Sequence, residues 1–131
     1  MPIWLEVNPR SGVPIYLQVI DAVRRALEVG SLKPGDRLPT VREIASEHMI
    51  APNTVQKAFT ELQRLGLIES RAGVGTIILP GAGQVVHSQQ QQAAIGRLRA
   101  AAREAASLGI TRTEVESALQ EELDKLERSS T

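Results

Sequence analysis

The stretch Ala51-Pro-Asn-Thr-Val-Gln-Lys-Ala-Phe-Thr-Glu-Leu-Gln-Arg-Leu65 decides the fold that we predict for this chain. Val55, Phe59 and Leu62 recur at helical spacing, so they form one buried stripe. Pro52 suits the first helical position, where its missing N–H costs nothing. The other side carries groups that can hydrogen-bond base edges or phosphates, opposed by the single acid Glu61: Asn53, Thr54, Gln56, Lys57, Thr60, Gln63 and Arg64. This pattern is typical of a DNA recognition helix and also of many ordinary surface helices. The segments on either side are needed to choose between these two interpretations.

Two further helices are predicted upstream of this stretch. The first spans residues 15–29 on an apolar repeat of three or four residues and ends at Gly30. Pro34-Gly35 then has the residue order of a type II turn. Thr40-Val-Arg-Glu43 matches a capping box, so a second, short helix begins there, and residues 48–51 make the turn into the third helix.

A glycine-tipped hairpin is predicted downstream. Gly66 ends the third helix, residues 67–71 form a strand, residues 72–75 form the tip and residues 76–79 form the return strand. Three helices followed by such a hairpin make a winged helix-turn-helix, in which the second helix crosses the DNA backbone and the third enters the major groove. Residues 3–8, ahead of the first helix, are predicted to form a short strand or an extended arm.

The last third of the chain has a different pattern. Pro80-Gly-Ala-Gly83 is predicted to be a linker, and Ser88-Gln-Gln-Gln91 and Thr111-Arg-Thr-Glu114 are capping boxes that open two helices. Their apolar lines have the spacing of a narrow helix–helix seam: Ile95, Leu98, Ala102 and Ala105, then Val115, Leu119, Leu123 and Leu126. A pair of helices this short has too little core to fold alone.

These lines must therefore be covered, either by the winged helix or by the same lines of a second copy. We favour the second copy, because two such tails can form a helical bundle about a two-fold axis. The prediction is a mainly α protein with a winged helix-turn-helix DNA-binding domain over residues 1–80. Residues 81–131 would then be a linker and a helical dimerisation or effector domain.

Composition narrows the class of protein. The formal net charge of zero argues against a nonspecific polyanion binder, although a local basic patch suffices for specific docking. The chain has no cysteine, no long apolar run and no basic leader, which favours a cytoplasmic protein without membrane contact. Its two histidines, His48 and His87, are too few and too far apart for a metal site, and no nucleophile–base pair stands out. We therefore predict neither a cofactor nor a bound metal, and no enzymatic activity.

Several runs of the sequence resemble the GntR-type bacterial transcription regulators. They lie within residues 14–79, about half of the chain: Pro14–Gln18, Gly30–Pro39, Val41–Ala45, Pro52–Phe59, Glu61-Leu62, Gly66–Ile68 and Gly73–Thr76. The short two-helix tail looks like the YtrA subfamily, which has the smallest C-terminal domain in that family. The resemblance implies a sequence-specific transcription regulator, usually a repressor, and supports a homodimer bound to an inverted-repeat operator.

The resemblance also implies the residues that contact DNA, by position in the matching runs: Arg42, Pro52, Asn53, Thr54, Gln56, Lys57, Arg71, Ala72 and Gly73. Each has a plainer role as an alternative. Arg42 can instead pair with Glu43 or Glu47, the polar residues at the start of the third helix can cap it, and Lys57 can be a solvated surface lysine. Gly73 is first of all a turn residue that accepts positive φ.

Two positions depart from the family pattern. Ala51 stands where a capping Asn, Ser or Thr is usual, which costs ~1 kcal/mol of helix stability. His48 stands where an apolar residue is expected, and Met49 is predicted to fill that pocket instead. Both departures lie in the turn before the third helix, so the operator sequence does not follow from the resemblance.

Two questions about function stay open at the level of sequence. A winged helix can also dock a protein partner, which predicts little salt dependence and no effect of changing Arg42. The tail is too small to enclose a ligand pocket of ~300–1,000 Å³ within one subunit. An unknown small-molecule effector would therefore bind at the dimer interface or between the tail and the winged helix.

Overall fold

The structure, a computed structural model, describes residues 4–130 and is mainly helical, as predicted. Within these residues it contains five helices and one antiparallel pair of strands: α1 (Ile15–Val29), α2 (Val41–His48), α3 (Pro52–Arg64), β1 (Ile68–Arg71), β2 (Gly75–Ile78), α4 (Ala82–Ser107) and α5 (Arg112–Ser129). The order of α1 to β2 is that of a winged helix-turn-helix, which confirms the predicted fold class.

Local signals place the first two helices where the sequence predicts them. Gly30 ends α1 with a left-handed φ of 80°. The type II turn forms at Pro34-Gly35, where Gly35 has a φ of 88° and the Asp36 amide donates to the Lys33 carbonyl at 3.0 Å. Thr40 caps α2, since its hydroxyl oxygen accepts a hydrogen bond from the Glu43 amide at 3.0 Å.

The core is built around the apolar stripe of α3. Val55, Ala58, Phe59 and Leu62 are buried, and α3 packs against α1, α2 and β1. The other buried residues of this cluster are aliphatic or alanine: Leu5, Val19, Ile20, Ala22, Val23, Ala26, Leu32, Leu38, Ile44, Ala45, Leu67, Ile68, Ile78, Ala82 and Val86. Burying one stripe of α3 leaves its polar side facing outward.

The wing is an antiparallel hairpin with a third segment alongside it. Ile68 pairs with Ile78 and Arg71 with Gly75, as expected for a strand pair with a short tip. The stretch 35–38 also pairs with β2, through a bridge between Arg37 and Ile77 and hydrogen bonds of 2.8 Å on either side of it. The sequence did not predict this third segment, because a Pro-Gly turn gives no sign of the distant strand beside it.

The predicted linker over residues 80–83 is wrong. Helix α4 already begins at Ala82, six positions before the predicted capping box at Ser88, and it is continuous through that box. Ala82 and Val86 are buried in the core of the winged helix, so tertiary packing overrides the local Pro-Gly signal. By its internal contacts the chain divides into two compact units between Gln89 and Gln90.

The N-terminal arm forms no strand in its described part. Residues 5–8 have no strand partner, and Leu5 is buried in the core cluster. The Gln18 side chain holds the arm, because its Oε1 accepts from the Asn8 amide at 2.8 Å and its Nε2 donates to the Asn8 carbonyl at 2.9 Å. Ile3, where the predicted strand begins, lies outside the described residues.

The prediction that Met49 fills a core pocket is also wrong. Met49 takes a left-handed φ of 54° at the end of α2 and is 96% exposed, while Ile50 packs against the core instead. His48 is half-buried and lines an open cavity of about 600 Å³ with the arm and α1. Its Nε2 is buried and has no hydrogen-bond partner within residues 4–130.

The second unit consists of the remainder of α4 and of α5. Gly109 separates the two helices with a φ of 78°, and the Ile110 amide returns to the Ala105 carbonyl at 3.0 Å. The capping box at Thr111 is complete, because Thr111 and Glu114 each accept a hydrogen bond from the other's amide. Among the described residues from 90 onward none is buried, so the unit has no core of its own.

Candidate nucleic-acid interface

The first turns of α3 present the polar groups expected of a recognition helix. Pro52 occupies the start of the helix, and Asn53, Gln56 and Lys57 are exposed while Thr54 is half-buried. Ala51 supplies no side-chain cap, as the sequence predicted. The side chain of Asn53 makes no hydrogen bond within the described part of the chain, so its amide is available to a ligand.

Further along α3, intramolecular pairing reduces what the helix offers to an anion. Gln56 Nε2 lies 3.4 Å from Thr60 Oγ1, a long contact that binding can replace. Arg64 forms a bidentate pair with Glu61, three residues before it. Arg64 lowers the pKa of the Glu61 carboxyl, chiefly through this hydrogen bond, and the carboxylate in turn raises the pKa of Arg64. The cationic character of α3 is therefore concentrated on Lys57.

Lys57 is not a freely solvated lysine. Its Nζ lies 3.9 Å from the centroid of the Tyr16 ring, which projects from the first turn of α1. An ammonium over an aromatic face is held electrostatically by ~0.5–1 kcal/mol at an exposed site. Lys57 and Tyr16, together with Asn53, Gln56, Thr60 and others, line an open groove between α1 and α3 of about 570 Å³. The sequence gave no sign of this contact, because Tyr16 and Lys57 lie on different helices.

Arg42 is exposed on the first turn of α2 and is ready to bind an anion. In the part of the chain that the structure describes it forms no ion pair, with Glu43, Glu47 or any other acid. The alternative that Arg42 is occupied by a neighbouring acid thus finds no support. Because α2 packs directly on α3, its first turn is tied to the same helix that carries Asn53 and Lys57.

The wing carries Arg71, Ala72 and Gly73, all of them exposed. Gly73 has a φ of 77° and the turn closes with a hydrogen bond of 3.1 Å from the Val74 amide to the Arg71 carbonyl. Arg71 Nε lies 3.1 Å from Glu69 Oε2, so this arginine already has an acidic partner.

Side-chain contacts also connect the wing to α3. Gln63 Nε2 lies 3.3 Å from Ser70 Oγ, which is 3.4 Å from Thr76 Oγ1 on the opposite strand. The predicted DNA-contacting residues therefore lie on α2, on α3 and in the hairpin, all within one unit. Both α2 and β1 pack against α3. The eight predicted dimerisation residues all lie in the other unit, on α4 and α5.

The described residues form neither a metal site nor a membrane-spanning helix. No group of three or more histidine, cysteine, aspartate or glutamate side chains within residues 4–130 is arranged to hold a metal ion. No helix in this range is both long and apolar enough to span a bilayer. The fold and the polar start of α3 thus define a winged helix-turn-helix protein of the DNA-binding class.

Known proteins narrow this class further. The model of the family described as bacterial regulatory proteins, gntR family, matches residues 15–78. The HTH-type transcriptional repressor YtrA of Bacillus subtilis (strain 168) is 47% identical over 74 residues, which are 56% of this chain and 57% of that protein. The uncharacterized HTH-type transcriptional regulator YhcF of the same organism is 37% identical over 106 residues, covering 81% of this chain and 87% of the relative.

Solved structures agree with the sequence matches. The crystal structure of a transcriptional regulator from Oenococcus oeni has a TM-score of 0.74 and 29% identity, and the match covers 89% of this chain and 97% of the other. The DNA-binding domain of AraR, solved in complex with operator ORX1, has a TM-score of 0.50 and 30% identity over 56% of this chain and 95% of its own.

The chain belongs to the GntR family of bacterial regulatory proteins. The predicted family is thereby confirmed, and the similarity to YtrA agrees with the predicted subfamily. The relatives are described as transcription regulators, as expected of a protein that is not an enzyme.

Proposed function

We propose that this protein is a transcriptional repressor that binds an inverted-repeat operator as a homodimer. The observation that carries the proposal is the outward polar start of α3, with Asn53, Gln56 and Lys57 exposed on a helix whose other side is fully buried. Family membership supports DNA binding, and the 47% identical relative is itself described as a repressor. The AraR domain, which shares the winged fold, was solved on operator DNA.

Each predicted contact has a distinct chemical role in this proposal. The start of α3, with Pro52, Asn53, Thr54 and Gln56, enters the major groove, where the amide groups contact base edges. Lys57 binds phosphate, because an ammonium lacks the planar fork that makes arginine selective. Arg42 binds a guanine or a phosphate from α2. The wing residues Arg71, Ala72 and Gly73 reach the neighbouring groove.

The exposed seam of the second unit supports the homodimer. Ile95, Leu98, Leu119, Leu123 and Leu126 are exposed large apolar residues on α4 and α5, and Ala102, Ala105 and Val115 continue the two lines. A surface of this kind marks an interaction site. Because the same stripes exist on every copy, a two-fold bundle of two tails covers them without a second type of protein.

Two measurements test this proposal: the mass of the protein in solution and its affinity for DNA. Light scattering behind size exclusion at micromolar concentration should give the mass of a dimer. Fluorescence anisotropy should show tight binding to an inverted repeat upstream of the protein's own gene, with half-sites ~34 Å or a multiple apart. A monomer under these conditions contradicts the dimer, and failure to bind any duplex at low salt contradicts the whole proposal.

Substitutions separate base contacts from phosphate contacts. Lys57→Ala should weaken binding to cognate and random duplexes alike and lower the slope of log K against log salt concentration by roughly 1 for each subunit of the bound dimer. Gln56→Ala should instead reduce the preference for the cognate site, by ~1–3 kcal/mol if both of its hydrogen bonds go to one base. Equal affinities of these variants and the wild type would favour a protein-docking role for the winged helix.

A bacterial repressor acts on the chromosome, so the proposal includes a cytoplasmic location. A small-molecule effector would act by changing the population of the DNA-binding form. Isothermal titration with compounds handled by the products of adjacent genes, followed by repetition of the anisotropy titration, tests for it.

A further inference from the structure

A second arginine lies beside the wing tip, contributed by the turn before α2 rather than by the hairpin. The side chain of Arg37 lies across Gly75: a Cβ at Gly75 would be 3.3 Å from Arg37 Nε and 3.9 Å from its Cδ and Cγ. Glycine at this position, with its φ of 108°, therefore provides the space that the arginine occupies.

The backbone holds Arg37 firmly in this position. Arg37 pairs with Ile77, and the flanking amides of Leu38 and Ile78 donate to the carbonyls of Thr76 and Asp36 at 2.8 Å. Leu38, the next residue, is buried in the core, while Arg37 itself is exposed. The stem of Arg37 and its Nε therefore lie along Gly75, while the residue as a whole remains exposed.

The two arginines at the wing differ in their electrostatic state. Arg71, which pairs with Gly75 in the hairpin register, is bound to Glu69 at 3.1 Å. Arg37 flanks the same glycine and has no ion-pair partner within residues 4–130. Asp36, its neighbour in sequence, accepts a hydrogen bond from the Lys33 amide. The unneutralised positive charge at the base of the tip is therefore that of Arg37.

We infer that Arg37 is the principal phosphate-binding cation of the wing, and that Arg71 is secondary to it. The inference rests on the proposed DNA-binding function and adds a residue to its contact set. When the tip enters the groove beside the recognition helix, the phosphates that border that groove face the base of the tip. A guanidinium can bind one such phosphate with two parallel hydrogen bonds. Arg37 reads no sequence in this role; it fixes where the wing sits on the backbone.

The experiment measures the salt dependence of binding of the full-length protein to a cognate and to a random duplex. Arg37→Gln should weaken both by the same factor, about 3- to 10-fold near 0.1 M salt. It should also lower the salt slope, the slope of log K against log salt concentration, by about 0.9 for each subunit of the bound dimer. Arg71→Gln should lower the slope by less, because Glu69 already balances its charge. Arg37→Lys, which keeps the charge, should retain most of the wild-type slope.

Two further variants control for the loss of side-chain packing and for a general loss of positive charge. Arg37→Met keeps the apolar stem over Gly75 and removes only the charge, so it should repeat the effect of Arg37→Gln with an unchanged melting temperature. Arg25→Gln removes one positive charge from α1, at a cavity shared with Trp4 and Glu6 of the arm, and should leave the slope unchanged.

The outcomes separate the inference from the function on which it rests. If the wild type binds DNA and Arg37→Met keeps its slope, Arg37 is not a phosphate contact and the inference is wrong while the function stands. If Arg71→Gln lowers the slope as much as Arg37→Gln or more, the ranking of the two arginines is wrong. If the wild type binds no duplex, both the function and the inference fall.

Discussion

The winged unit and the helical tail use apolar residues in opposite ways. In the winged unit Leu62 and Ile78 are completely buried, whereas in the tail Leu119, Leu123 and Leu126 keep 41%, 49% and 60% of their surface exposed. Both units have helices with good local signals, and the capping box of α5 is the more complete one. Local helix signals and a closed core are thus independent properties. The winged unit folds around its own residues, and the tail leaves residues of the same kind exposed.

Charging the exposed seam should produce the largest effect. Leu119→Glu with Leu123→Glu should leave a monomer and weaken operator binding by at least ~100-fold, because linking two binding modules contributes 10²–10⁴ in affinity. Light scattering and anisotropy measure the two effects. Thr113→Glu with Ser117→Glu puts the same charges at the same spacing on the other side of α5 and should remain dimeric. A dimer in both variants would break the contrast between the units.

Truncating a buried side chain in the core of the winged unit should produce the second largest effect. Leu62→Ala should lower the free energy of unfolding by about 2–5 kcal/mol, since it removes fully buried methyl groups and leaves a cavity. Leu108→Ala, at a position that is 71% exposed, should change it by less than about 0.5 kcal/mol. Urea titration of both variants is the measurement. Similar losses would mean that the tail has a core after all.

The N-terminal caps of α3 and α5 differ, and substitutions at the two caps should have opposite effects on stability. Ala51→Ser should stabilise the protein by about 1 kcal/mol, because the start of α3 gains the side-chain acceptor it lacks. Thr111→Ala should cost a similar amount by removing the cap of α5. Thermal unfolding checks both signs. A destabilising Ala51→Ser would show that the turn before α3 cannot accommodate a capping rotamer.

A smaller effect is expected where α1 supports the recognition helix. Tyr16→Leu removes the ring beneath Lys57 and should weaken binding to every duplex by about 2- to 5-fold, the equivalent of ~0.5–1 kcal/mol. Tyr16→Phe keeps a ring and should bind almost as the wild type does. In a Lys57→Gln background the Tyr16→Leu change should have no further effect. A loss of the same size in that background would assign Tyr16 a role of its own.

The smallest effect concerns the ion pair on α3. The Arg64 guanidinium lowers the pKa of Glu61 below its ordinary value of 4.5, so the pair stabilises the native state above that pH. This contribution is lost as the pH falls through the lowered pKa. Carboxyl titration by NMR should show the low pKa in the wild type and its return toward 4.5 in Arg64→Gln. An unchanged pKa in that variant would remove Arg64 as the cause.

The elements that sequence predicted well are those with local physical causes. Gly30, the Pro34-Gly35 turn and the Thr40 and Thr111 caps act within a few residues, and the stripe of α3 follows from helical spacing alone. The family resemblance added the choice of contact residues, and where those side chains touch DNA stays a prediction.

The features that sequence missed depend on residues far apart in the chain. Tyr16 and Lys57 meet only because α1 packs on α3, and Arg37 reaches Gly75 only because the 35–38 segment pairs with β2. The start of α4 was misplaced for the same reason, since the burial of Ala82 outweighs a preceding Pro-Gly. Met49 was assigned to a pocket on size and polarity, without regard to its left-handed backbone.

The early start of α4 determines where this protein can be cut. Shortening it after residue 80, at the predicted linker, would delete Ala82 and Val86 from the core and also Gln89, whose side chain accepts a hydrogen bond from Arg24 on α1. A DNA-binding fragment should therefore extend to Gln89 at least. Since α4 runs unbroken from Ala82 to Ser107, proteases should find no unstructured backbone at the junction of the two units.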